Sequence, residues 1–184
     1  MRVTGGVWRS RRLIFPRRAD IRPTRDMVRK AVFDVLRDAV AGQHVLDAFS
    51  GSGAFGFDAL SRNAASAVFV DSRQECAQAI SENAAALNAA ERCTVLREDV
   101  FSALELFARQ KKMFSLVFAD PPYQQGIAKK FLMKLGACAI VIAPAFVVIE
   151  HHARDQMPEN MERFVRRQYK EYGNTAVSFY GPAV

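Results

Sequence analysis

The sequence predicts an α/β protein built on a doubly wound, mostly parallel sheet with an antiparallel hairpin at its C-terminal end. Three observations carry that prediction. Short apolar runs alternate with segments of helical periodicity through the middle of the chain, two of those runs end in loops rich in Gly, Pro and Asp, and the alternation gives way to paired strands after residue 160. Short strands that are apolar throughout need helices on both faces, which is the covering of a parallel sheet. The 184 residues suffice for one packed domain with a small appendage, not for two full domains.

Residues 1–23 form the appendage, a basic arm that alternates weakly around Thr4-Gly5-Gly6 and is expected to be a hairpin or extended segment. The main domain is expected over 24–184. Arg22-Pro23-Thr24 supplies a stop and an N-cap. Met27, Val28, Ala31, Val32, Val35 and Leu36 then recur at helical spacing, so a helix is predicted over 24–41, ended by Gly42. Strands are predicted at 44–49, 67–71, 94–96, 114–119 and 146–150, with helices at 54–62, 73–87, 101–109 and 127–135 between them. Segments 164–171 and 175–180, joined by Tyr172-Gly173-Asn174, read as the hairpin.

Charge is distributed unevenly. Residues 1–30 carry ten basic and two acidic side chains, a net +8, while the rest carry 16 basic and 17 acidic, a net −1. Nine of the ten basic residues are arginine, the side chain suited to bidentate phosphate contacts and to stacking on bases. A polyanion, and nucleic acid in particular, is the expected partner. Gly5, Gly6, Pro16 and Pro23 interrupt any helical apolar face that would lie on a membrane. The three cysteines, Cys76, Cys93 and Cys138, form no close pair, so neither a disulfide framework nor a zinc site is indicated. There is no signal-peptide pattern and no apolar run of membrane-spanning length, and a cytoplasmic location is expected.

Gly51-Ser52-Gly53-Ala54-Phe55-Gly56 has the form G-x-G-x-x-G and follows an apolar strand. That pattern serves dinucleotides as well as other adenosine cofactors. Asp47, four residues before Gly51, would lie unfavourably beside a pyrophosphate but suits a cation. S-adenosylmethionine (SAM), with a sulfonium, an ammonium group and no phosphate, is therefore preferred over NAD. Asp47, Phe49, Gly51 and Gly53 are the candidate loop contacts, Asp71 and Ser72 the candidate ribose contacts, and Asp99 and Val100 (or Phe101) the candidate adenine contacts. Asp99 equally fits a helix N-cap, and Asp71 an ordinary strand-end turn.

Asp120-Pro121-Pro122-Tyr123 leaves the end of the run 114–119. An aromatic exocyclic amine is a poor nucleophile because its lone pair is delocalised into the ring. Acceptors on its N–H groups localise that pair. Asp120 supplies one acceptor and the Pro121 carbonyl a second, Pro121 and Pro122 stiffen the loop, and Tyr123 can stack on the base at about 1–3 kcal/mol. Alone, the tetrapeptide would read as often as a simple turn. Paired with the glycine loop on one sheet edge, it points to methylation of a base amine.

On these residues the chain resembles a family of bacterial methyltransferases that modify the N2 of a guanine in small-subunit (16S) ribosomal RNA. The likeness spans nearly the whole chain and is carried by the arm from Arg2 to Leu13, by Arg22-Pro23-Thr24-Arg25-Asp26-Met27-Val28-Arg29, and by the two loops in the same order. It implies a seven-stranded, Rossmann-like methyltransferase sheet, SAM as cofactor, and an assembled or partly assembled 30S subunit as substrate. Tyr123 stands where the family often has phenylalanine. Arg9, Arg11, Arg12, Arg22 and Arg25 are the candidate RNA contacts, and Trp8 is expected to pin the arm rather than stack on a base. A monomer without metal or membrane association is expected. The rival readings are an adenine-N6 methyltransferase on DNA or RNA and a non-catalytic RNA-binding assembly factor.

Overall fold

The computed structural model describes residues 1–16, 26–123, 126–161 and 163–183. Its seven strands are β1 (His44–Ala48), β2 (Ser66–Asp71), β3 (Cys93–Arg97), β4 (Phe114–Ala119), β5 (Val141–His152), β6 (Phe164–Tyr172) and β7 (Thr175–Pro182). The helices are α1 (Asp26–Leu36), α2 (Ala54–Ser61), α3 (Gln74–Ala86), α4 (Val100–Arg109) and α5 (Ile127–Cys138). All strands join one sheet in the order β3-β2-β1-β4-β5-β7-β6. The first five are mutually parallel and β7 runs antiparallel to both β5 and β6. The predicted doubly wound, seven-stranded sheet with a C-terminal hairpin is the observed one.

Side-chain alternation along each strand divides the core in two. Val45, Phe69, Leu116, Phe118, Val148 and Val177 face α1, α2 and α3. Leu46, Val68, Val117, Val147 and Ile149 face α4 and α5. Aromatic packing fastens the first layer, with Phe55 stacked on Phe118 at 4.9 Å and Phe33 tilted against Phe118 at 5.5 Å.

Two predicted boundaries move the most. The first helix is α-helical only to Leu36, because Arg37 takes a positive φ of 45° and the chain continues as a 3-10 turn to Val40. Its predicted start, with the Thr24 cap, lies outside the described residues. Strand β5 begins at Val141, well before the predicted 146, and runs through Pro144. Between the pairs Phe114–Val141 and Leu116–Phe146 the register shifts, with the extra residues on β5, and Pro144, which has no N–H to donate, falls in this irregular stretch.

The arm is joined to the body rather than suspended from it. Arg2 and Arg12 form an antiparallel bridge, and Val3 and Leu13 are buried in the same core layer as α1 and α2. Gly6, at a φ of +74°, lies against the Ser61 carbonyl so closely that a Cβ would stand 1.9 Å from it. Trp8 packs on this core layer, its backbone N–H donates to Ser61 Oγ, and Arg92 lies over its ring.

One buried carboxylate holds these pieces. Asp58 on α2 accepts from the Thr4 N–H and Oγ1 in the arm, from Arg29 Nε on α1 at 3.0 Å, and from Arg62 Nη1 at 2.7 Å. Arg29 is fully buried, also donating to the Arg2 carbonyl and pairing with Asp26. Removing one partner of such a pair leaves a charge uncompensated in low dielectric, at a cost of about 3–5 kcal/mol. Asp58→Asn is expected to lose that amount in urea unfolding, a fall in melting temperature of roughly 10 °C. Asp26→Asn, at the half-exposed end of the same network, is expected to cost less than about 1 kcal/mol. Equal effects would refute the central role of Asp58.

Candidate active site

The chain crosses from one side of the sheet to the other at β1. Strand β2 flanks it on one side and β4 on the other, so the crevice between the carboxyl ends of β1 and β4 is the switch point at which such sheets bind ligands. A cavity of about 460 Å³ opens there, lined by Asp47, Phe49, Ser50, Gly51, Ser52, Asp71, Ser72, Asp120, Pro121, Pro122 and Tyr123 among others. The two predicted loops therefore meet in one cleft.

Local geometry explains the first loop. After Ala48 the chain turns at Phe49, which takes a left-handed φ of 57° at a cost of about 1–2 kcal/mol for a non-glycine residue. Ser50 repays part of this by stitching the turn to β2. Its Oγ accepts from the Val70 N–H at 2.8 Å and donates to the Asp47 carbonyl. Gly53, at a φ of +77°, is the residue from which α2 starts. Asp47 Oδ2 accepts from the Gly56 N–H at 2.8 Å and Asp71 Oδ2 from the Gly51 N–H at 2.9 Å, so both carboxylates order the turn. Asp71 also accepts from the Arg73 N–H and lies 3.3 Å from Arg73 Nε.

Alternation along the strands aligns the acids. Asp71 follows Phe69 by two residues, Asp47 follows Val45, and Asp120 follows Phe118, all on the face of the α1–α3 layer. The Asp120 N–H extends the ladder to the Ala48 carbonyl. Glu150, two residues after Val148 in β5, belongs to the same row and also lines the cavity. Four carboxylates from four adjoining strands thus look into one cleft, with Arg73 the one basic residue among the described lining residues. Burial holds the Asp47 carboxyl well above the ordinary carboxylate range, and Asp120 and Asp71 push it further up against the Gly56 hydrogen bond and Arg29. Such a row suits a cationic ligand and disfavours a phosphate.

Asp99 and Val100 are not brought to this cavity. Asp99 is the N-cap of α4, accepting from the Ser102 N–H at 3.0 Å, and Val100 is buried between α4 and the sheet. Phe101 packs edge-on against Phe49, which does line the cavity. Arg9, Arg11 and Arg12 are exposed on the arm, with Arg11 reaching the Ala86 carbonyl. Arg22 and Arg25 lie outside the described residues.

Sequence reasoning missed the support behind Tyr123. Its hydroxyl donates to Glu150 Oε1 at 2.9 Å and accepts from Thr175 Oγ1 at 2.8 Å, and its ring meets His152 edge-on. Burial and the Glu150 charge raise the phenol pKa, so it remains a donor. The available signal was positional: Glu150 stands at the carboxyl end of the strand next to β4, and Thr175 opens the antiparallel strand beside it.

The family model described as "Conserved hypothetical protein 95" matches residues 1–181. The chain is 31% identical to a "Putative rRNA methyltransferase YlbH" of Bacillus subtilis, over 98% of both chains. It is 29% identical to "Ribosomal RNA small subunit methyltransferase D" of Escherichia coli, over 98% of this chain and 89% of that one. Among solved structures, a "Putative methyltransferase yhhF" from Escherichia coli superposes with a TM-score of 0.84 at 30% identity, covering 100% of this chain and 98% of that one.

The raised pKa of Asp47 sets a signed pH dependence. The folded state holds its proton to higher pH than the unfolded chain, so this group's contribution to stability is present below the unfolded pKa near 4 and is lost as pH rises through the folded value. Asp47→Asn is expected to raise the melting temperature of the ligand-free protein at pH 7, with the gain disappearing near pH 4. It should also weaken binding of a cationic ligand. A lower melting temperature at pH 7 would show that Asp47 is not strained by burial.

Proposed function

Since the chain belongs to the Conserved hypothetical protein 95 family and resembles small-subunit ribosomal RNA methyltransferases along nearly its whole length, we propose that it transfers a methyl group from SAM to the exocyclic N2 of a guanine in 16S ribosomal RNA, within an assembled or partly assembled 30S subunit. The observation that carries this reading is the opening of Asp120 and the Pro121–Tyr123 loop into the cavity that Asp47 and the glycine turn also line.

The residues present fit SAM. Asp47, Phe49, Asp71, Ser72 and Asp120 line one cavity: Asp47 and Asp120 would face the cofactor's cationic centres, Asp71 and Ser72 would hold the ribose hydroxyls, and Phe49 would supply apolar wall. When bound, this cofactor supplies a methyl group already activated by a positive sulfur, so no strong base is required. Asp120 and the Pro121 carbonyl accept the two N–H groups of the amine and turn its lone pair toward the methyl. As the nitrogen becomes cationic, Asp120 stabilises the charge and takes the proton. Pro121, Pro122 and the anchored Tyr123 hold these acceptors in place before the base arrives, so that positioning supplies much of the rate. A base that is paired or stacked must first be extruded, at a few kcal/mol. The arm, through Arg9, Arg11 and Arg12, holds the RNA backbone without reading its sequence.

Purified protein incubated with labelled SAM and hypomethylated small subunits should place label on 16S ribosomal RNA, and mass spectrometry of the digested RNA should locate it on a guanine N2. Asp120→Asn should lower the rate on the order of 10²-fold or more. Unlabelled RNA, or full activity in the variant, would sink the proposal, and label on adenine N6 would favour the rival enzyme. Changing Arg9, Arg11 and Arg12 together to glutamine should reduce the slope of log K against log salt by about 2, near 0.7 per lost phosphate contact on single-stranded RNA. An unchanged slope would remove the arm from the interface.

A further inference from the structure

The Asp120 loop alone does not distinguish guanine from adenine, because both present an amine to it. The neighbouring ring position does. Beside the N2 amine of guanine lies N1–H, a donor. Beside the N6 amine of adenine lies an unprotonated N1, an acceptor. A second acceptor next to Asp120 would therefore welcome guanine and repel adenine.

Glu150 stands in that place. Ala119, the last residue of β4, pairs with Ile149 of β5, so Asp120 and Glu150 each follow directly on a paired residue, where the sheet spacing sets neighbouring backbones about 5 Å apart. Both line the same cavity and both belong to the carboxylate row on the α1–α3 face. Across that row, Asp71 and Asp47 lie on the side of the glycine turn, and Asp120 and Glu150 on the side of the Asp-Pro-Pro-Tyr loop. Tyr123 donates to Glu150 Oε1, and a carboxylate offers about four acceptor sites in all. Anchoring Tyr123 asks only for an acceptor, which a glutamine would supply without setting a second carboxylate one strand from Asp120.

We propose that Glu150 is a specificity-determining residue that accepts the N1–H of the target guanine while Asp120 holds its N2 amine. The inference rests on the reading of the site as a base-amine methyltransferase. Guanine is then gripped along one edge by two carboxylates, and a base that lacks a proton at N1 is refused.

The test uses small subunits assembled on ribosomal RNA carrying either guanine or 2-aminopurine at the target position, since 2-aminopurine keeps the amine at C2 and has no N1–H. The wild-type protein should prefer guanine by about ten- to a hundredfold in kcat/KM, the discrimination of one well-placed base contact. Glu150→Gln, whose amide can accept from N1–H or donate to N1, should lower guanine turnover and bring the ratio to within a few-fold of unity. Tyr123→Phe removes the hydroxyl but leaves the carboxylate, and should keep the preference whatever it does to the rate. A purely structural Glu150 would instead slow both substrates equally and leave the ratio unchanged, which would overturn the proposal. Where Glu150→Gln does not fold, the wild-type ratio decides: parity between the two bases excludes N1–H recognition, and a preference retained in Tyr123→Phe supports it. Equal turnover of the two bases leaves methylation standing and removes this role alone, whereas no methylation of guanine by the wild type overturns the enzymatic reading with it.

Discussion

The Asp58 carboxylate, buried on α2 and bonded to Arg29, Arg62 and Thr4, is the interaction on which the arrangement of the N-terminal third depends. A charge in that position is tolerable only while its partners are present. It therefore forces α1 and the arm onto the outer side of α2 in one geometry. The consequence reaches the cavity, because the other end of α2 begins at the glycine turn, and Met1, Phe15 and Val28, from the arm and α1, contribute to the cavity wall. The basic arm is thus held at the mouth of the site by an internal ion network, with its exposed arginines outward.

The carboxyl edge of the sheet shows the opposite use of charge. Asp71, Asp47, Asp120 and Glu150 are gathered where their mutual repulsion and burial work against folding, and the raised pKa of Asp47 is the sign of that conflict. Backbone N–H groups of Gly51 and Gly56, the Tyr123 hydroxyl and Arg73 offset part of the cost. What remains is a site poised for ligands that bring positive charge or N–H donors. A methyl donor with a cationic sulfur is a ligand of that kind, and the proposed base, presenting amine protons, would be another.

Much of this was legible in the sequence. The strands ending at Asp47, Asp71 and Asp120 were visible as short apolar runs closed by an acid, and the glycine loop and Asp120-Pro121-Pro122-Tyr123 are local patterns whose chemistry follows from residue type and spacing. Where reading left alternatives open, the reason was long-range. Asp99 fitted both a cap and a ligand contact; it caps α4, and the sequence offers no signal for which way a strand-end carboxylate turns. Pro144 hid the first residues of β5, because its place there depends on a shift in the register between β5 and β4. Glu150 and Thr175 carried no motif.

The sequence by itself determined the alternation of strand and helix, the two loops at strand ends, and the concentration of arginine in the arm, because each depends on periodicity or composition within a short window. Tertiary structure alone decided that Glu150 lines the same cavity as Asp120, that Tyr123 is anchored across two strands, and that Asp58 binds three segments of chain. Strand order and register arise from pairings between residues tens of positions apart, and only when they are set does the twofold alternation of side chains place a given carboxylate beside another.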